Sequence, residues 1–142
     1  VTMLDVLEHT DDINTLREAR KIIKKKGLLL ITVPAYQWMW SNWDVVLHHK
    51  RRYTKHQLNL LLEKEGFEVI KSSYLYSFLL IPVYIFRKIK DVFSKDSYSS
   101  DFKVGLPFVN KLMGFIAQVE RKVATTLGIP FGLSVVVIAR KK

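Results

Sequence analysis

The chain has 142 residues, 49% hydrophobic and 25% charged, with no cysteine and 23 Lys+Arg against 13 Asp+Glu, for a net charge of +10. That balance excludes wholesale disorder, and a chain of about 150 residues buries about 68–70% of its unfolded surface, enough for a real core. The missing cysteines exclude a disulfide scaffold and any thiolate-ligated zinc or iron–sulfur centre, and they permit a reducing, cytoplasmic location.

Val1–Leu7 reads as a short buried strand with Asp5 near its end. The run starts inside apolar sequence, shows no signal-peptide pattern, and reads as the cut edge of a longer protein. Asp11 or Asp12 caps a helix whose face carries Ile13, Leu16, Ala19, Ile22 and Ile23, with Lys24–Lys26 in its last turn and Gly27 as its terminator. Leu28–Val33 is a continuous apolar strand stopped by Pro34, the pattern of a central parallel strand covered on both faces. Residues 35–53 show no period and read as a long aromatic and basic loop.

Thr54 and Gln57 form a capping box, and Leu58, Leu60, Leu61 and Leu62 supply an apolar helix face up to Gly66. Strand-like alternation returns from Phe67 to Tyr76. Residues 78–93 are strongly apolar, with Pro82 inside and Arg87, Lys88 and Lys90 towards the end. A polar stretch follows. Pro107 then opens a helix with Val109, Leu112, Met113, Ile116, Val119, Val123 and Leu127 on one face, ended by Gly128, and Leu133–Ala139 is a closing β-branched strand. Strands alternating with helices predict an α/β fold with a mainly parallel sheet, whose ligands bind outside the C-terminal strand ends. Here those ends are Asp5–His9 and Pro34–Trp43.

The linked stretches LDVLEHTDD, LREARKIIKKKGLLLITVPAYQWMWSNWD and HHKRRYTKHQLNLLLEKEGFEV closely resemble the C-terminal half of class I, Rossmann-like S-adenosylmethionine-dependent methyltransferases of the small-molecule type 11/12 group. The resemblance covers about residues 3–75. It departs at Lys26, where the family usually has a glycine before Gly27. It implies a sheet of order 3-2-1-4-5-7-6 with the seventh strand antiparallel. The present strands are then four to seven, flanked by helices, with a helical insertion before the last strand. The glycine-rich turn after strand one is absent. The implied division is a partial methyltransferase domain over 1–142: family core 1–76, helical insertion 77–132 with a polar linker 94–106, and closing strand 133–142.

By the same resemblance, Asp5, Leu7, Glu8 and His9 flank the cofactor S-adenosylmethionine. No metal is expected, since three nearby ligands without a placed fourth are weak grounds for one. Tyr36, Trp38, Trp40 and Trp43 either cover the substrate or fold onto the sheet. His48 and His49 are candidate bases, because an ordinary histidine pKa of about 6.5 suits proton transfer near neutrality. Arg51 is a candidate grip on an anionic substrate group, whereas Arg52 and Tyr53 read better as pins holding the loop to the next helix.

The expected activity is methyl transfer to a small-molecule or lipid-like acceptor, with little activity from this piece alone. The alternative is a non-catalytic basic α/β module on a membrane surface or nucleic acid, with nucleic acid the weaker partner. Residues 72–142 carry 11 basic and 4 acidic residues, against 12 and 9 in residues 1–71. The apolar segment 74–86 is too short to span a bilayer. Pocket cover is its first reading and peripheral membrane contact its second. The exposed edge of the first strand would favour a homo-oligomer.

Overall fold

The computed structural model describes residues 1–93 and 107–142, leaving aside the side chains of 89–93, 107–110 and 112. The linker expected at 94–106 lies outside the described residues. In chain order come β1 (Thr2–Leu4), a 3₁₀ turn (Leu7–His9), α1 (Asp12–Ile22), β2 (Leu28–Pro34), a second 3₁₀ turn (Gln37–Met39), α2 (Asn42–Val46), α3 (Lys55–Lys64), β3 (Phe67–Leu75), α4 (Ser77–Phe93), α5 (Pro107–Thr126) and β4 (Ser134–Lys141).

The sheet order is β1-β2-β4-β3, with β1 parallel to β2 and β4 antiparallel to both of its neighbours. This is the 4-5-7-6 arrangement the resemblance implies, including the antiparallel last strand. β4 can enter between β2 and β3 because Val135, Val137 and Ala139 alternate inward. They join Leu29, Ile31 and Val33 of β2, Leu16 and Ala19 of α1, Leu58 and Leu62 of α3, and Phe67 in one core. Among the described residues no strand pairs with the outer edge of β1.

Several boundaries differ from the sequence reading. β1 is shorter because Asp5 adopts φ 51 and turns the chain away. α1 ends at Ile22, so Lys24–Lys26 lie beyond it, and Lys26 rather than Gly27 takes the left-handed conformation, with φ 62. Gly27 is needed for space: a Cβ there would sit 2.8 Å from Ile23 Cγ2 and from the Lys24 carbonyl oxygen. β2 buries only alternate residues, since Leu28 is exposed and Leu30 and Thr32 are half-buried. The expected loop at 35–53 contains the second 3₁₀ turn and α2, and closes with a parallel bridge between Ala35 and Tyr53.

Two helix faces are also rotated from expectation. In α3, Leu58 and Leu62 are buried while Leu60 faces solvent, because residues two apart lie on different sides of a helix. In α5 the inward positions are Glu120 and Ala124, so Val119, Val123 and Leu127 point outward. The Glu120 carboxylate explains this, accepting from the backbone amides of Tyr76 at 2.9 Å and Ser77 at 2.5 Å where β3 passes into α4.

The three parallel strands leave the sheet at one edge, each through a left-handed residue close behind its end: Asp5 after β1, Tyr36 after β2 and Tyr76 after β3. Such conformations are costly for non-glycine residues. Here they throw the following segments sharply over the C-terminal strand ends, where the candidate site lies.

Candidate functional site

Asp5 is locked in its turn by Thr32. Its amide donates to the Thr32 carbonyl at 3.0 Å and its carboxylate accepts from Thr32 Oγ1 at 3.1 Å. The 3₁₀ turn that follows sends the Leu7 side chain into the core and buries Glu8 completely. Neither Glu8 carboxylate oxygen has a hydrogen-bond partner. Burial, with repulsion from Asp5, pushes the Glu8 carboxyl up from 4.5 to about 7, against the pull of Arg52.

The second side of the site comes from residues 36–53. Lys50 donates its amide to the Glu8 carbonyl at 2.8 Å, which draws this segment against the turn. The His9 and His49 rings then meet edge to face, with centroids 4.7 Å apart. α2 exists to place Asp44. Ser41 caps the helix and donates its amide to Asp44 Oδ2 at 2.9 Å. The fully buried Asp44 carboxylate takes a bidentate pair from Arg52, at 2.7 and 3.1 Å, and lies 2.8 Å from His49 Nδ1. Burial opposes its charge, but Arg52 and His49 hold Asp44 below the usual carboxylate range.

These residues enclose a cavity of about 320 Å³ at the ends of β1 and β2. Of the residues singled out in the sequence, Asp5, Glu8, His9, Trp43 and His49 line it, together with Arg52 and Arg87. The remaining candidates lie elsewhere. Leu7 is core, and His48 is exposed with φ 56. Arg51 is engaged by Asp12, with Nη1 2.7 Å from Oδ2, and Trp40 is half-buried outside the lining. Tyr36 stacks between Trp38 and Tyr74 at 5.1 and 5.2 Å, and Trp38 meets Tyr84 of α4 edge-on. Burial, with Tyr74 beside it, raises the Tyr36 phenol to about 12. Tyr53 donates to Asp12 of α1 at 3.1 Å, and Arg52 donates to the Ala35 carbonyl at 3.1 Å, so these side chains tie the segment to α1 and to itself rather than to the helix that follows.

Glu8, His9 and His49 each bring a donor atom within 4.8 Å of the others. Three donors fill half an octahedron, and we assign no cation to them. A larger cleft of about 760 Å³ lined by Arg17, Arg20, Lys21, Lys64 and Lys141 lies at the opposite sheet edge, away from the strand ends that bind ligands in this architecture.

The profile of the family described as "Methyltransferase domain" matches residues 1–72, just over half of the chain, which include Asp5, Glu8, His9, Trp43, His49 and Arg52 of the cavity but not Arg87. The chain belongs to that methyltransferase domain family. Among solved structures it is similar to a SAM dependent methyltransferase from Archaeoglobus fulgidus, with 17% identity and TM-score 0.51 over 99% of this chain and 58% of that one. It is similar to Haemonchus contortus phosphoethanolamine N-methyltransferase 2, solved with S-adenosyl-L-methionine, at 14% identity and TM-score 0.53 over 99% and 32%. A putative sarcosine dimethylglycine methyltransferase from Galdieria sulphuraria gives 13% identity and TM-score 0.52 over 99% and 52%. At these identities the likeness is one of fold. The chain spans about half, or less, of the length of these structures. No curated protein matches it.

In this methyltransferase domain the sequence reading missed Asp44 and Arg87. Asp44 had a signal, the Ser41-x-x-Asp44 spacing of a capping box. Arg87 had none, since it reaches the site from α4, donating to the Met39 carbonyl at 2.8 Å. Among the described residues no helix is long and apolar enough to cross a membrane.

Proposed function

We propose that this methyltransferase domain takes part in transferring a methyl group from S-adenosylmethionine to a small or lipid-like acceptor, at the cavity over β1 and β2. The observation that carries the reading is the Glu8 carboxylate, fully buried on the wall of that cavity with no hydrogen-bond partner and only the His9 ring near it, Nε2 at 3.9 Å. A buried carboxylate without a partner is costly, and the cost is relieved by a cationic group in the cavity. S-adenosylmethionine is cationic at its sulfonium and its ammonium, so the residues present fit it, with Glu8 and Asp5 as its holders. When bound, it supplies an electrophilic methyl group. The match over residues 1–72 favours this reading over a non-catalytic basic module.

The chain's own groups supply orientation and a base. With Asp44 ionised, His49 presents an N–H from Nδ1 to it, and the neutral ring keeps Nε2 as its acceptor. His49 lines the cavity and takes the proton of a hydroxyl or amine acceptor, whereas the exposed His48 does not. Trp43 and Leu47 give the cavity an apolar wall that limits water. The test is equilibrium binding of S-adenosylmethionine to the full-length protein. Glu8→Gln is expected to weaken binding about tenfold, the loss of roughly 1.4 kcal/mol. Unchanged binding would overturn the assignment of the cavity.

A further inference from the structure

The outward faces of α4 and α5 carry more apolar surface than folding requires. On α5 an i, i+4 stripe of Phe115, Val119, Val123 and Leu127 is exposed, with Phe115 at 65% and Leu127 at 88%. On α4, Ile81 is 68% exposed, and Tyr84, Ile85 and Phe86 accompany it. Between the two helices an apolar groove of about 430 Å³ is lined by Phe78, Phe115, Ile116, Val119 and Val123. A contiguous exposed apolar patch of this kind marks a contact surface.

Charge identifies what it contacts. Lys88, Lys111, Arg121 and Lys122 are exposed on the same two helices. The one acidic side chain described there, Glu120, is buried against the amides of Tyr76 and Ser77. The apolar stripe of α5 is flanked by Lys111 and Lys122, which have no ion pair among the described residues, and this suits an interface of acyl chains and anionic headgroups, with each stem lying on apolar surface and each charge at the phosphate level. A second copy of the chain fits less well, because it would bring two bodies of net charge +10 together on their basic faces.

We propose that α4 and α5 form a docking face for an anionic lipid bilayer. Among the described residues neither helix is long and apolar enough to cross it. Docking is independent of methyl transfer. One consequence rests on that reading: α4 also carries Arg87 to the cavity wall, so an acceptor drawn from the bilayer would meet the site beside the docked helix.

The experiment is flotation of the full-length protein with vesicles of phosphatidylcholine alone or mixed with phosphatidylglycerol, at low and at physiological salt. Binding to the mixed vesicles is expected, weakened by salt and at least about tenfold lower on the neutral ones. Phe115→Ser combined with Leu127→Ser, both at exposed positions, should lower binding about tenfold or more at low salt with an unchanged melting temperature. Lys111→Gln with Lys122→Gln, both exposed beside the stripe, should flatten the salt dependence. Absence of binding to the mixed vesicles, binding untouched by both double variants, or a dimer in light scattering that the serine variant dissolves would each overturn the proposal. Loss of S-adenosylmethionine binding would not.

Discussion

Lys26 sits at φ 62 between α1 and β2, with its amide on the Lys141 carbonyl at 3.2 Å. A left-handed conformation costs an L-residue roughly 1–2 kcal/mol, and glycine avoids it. The resemblance flags this position as one where relatives carry glycine, and the backbone supplies the reason. Lys26→Gly is expected to stabilise the fold by about 1 kcal/mol after glycine's larger unfolded-state entropy is counted, read from urea unfolding. Glu8 has the opposite character, a side chain the fold holds at a cost. Its carboxyl stands at about 7 in the folded chain against 4.5, so between those values the folded state binds more protons than the unfolded one. Stability therefore falls as pH rises through that window. Glu8→Gln removes the slope. Relative to wild type, the variant should gain stability above pH 7 and lose that advantage below pH 4.5.

At the scale of elements, the 36–53 segment illustrates what sequence can and cannot disclose. Periodicity finds nothing there, because two single-turn pieces and a bridge are too short to show a period. Its order comes from one side chain. Asp44 gathers Ser41, His49 and Arg52, and Arg52 reaches on to Ala35. Long-range pairings of this sort leave no local pattern, which is why Arg51 and Arg52 could not be ranked by position alone. The structure assigns Arg51 to Asp12 and Arg52 to the buried pair. Asp44→Asn leaves the Arg52 charge buried without its partner and should cost about 3–5 kcal/mol in unfolding. Because the folded pKa of Asp44 lies below 3.8, its contribution is complete above that pH and is lost only as pH falls through the lowered folded value. The capping box at Thr54 and Gln57 was legible because both partners lie within one turn. The outward face of α5 was not, since its apolar residues would serve a core equally well and only Glu120 fixes the rotation.

Over the whole molecule, strand order was legible through resemblance and through β4, whose alternation suits a strand buried at the sheet centre. The site edge followed from the architecture, because the parallel strands all end on the side where Asp5, Tyr36 and Tyr76 turn the chain. The +10 charge divides by place. Lys24–Lys26 and Arg140–Lys142 lie at the edge opposite the cavity, and Arg51 is paired. Among the described residues, Lys88, Lys111 and Lys122 of the two outer helices are exposed beside the apolar face that the proposed bilayer contact uses. The proposed function places the methyl donor against the turn after β1. The most direct measurement is ultraviolet cross-linking of methyl-labelled S-adenosylmethionine to the full-length protein, followed by peptide mapping. Label is expected within residues 5–9, and that label should be lost with Glu8→Gln. Label confined to other segments, with residues 5–9 unmarked, would contradict it.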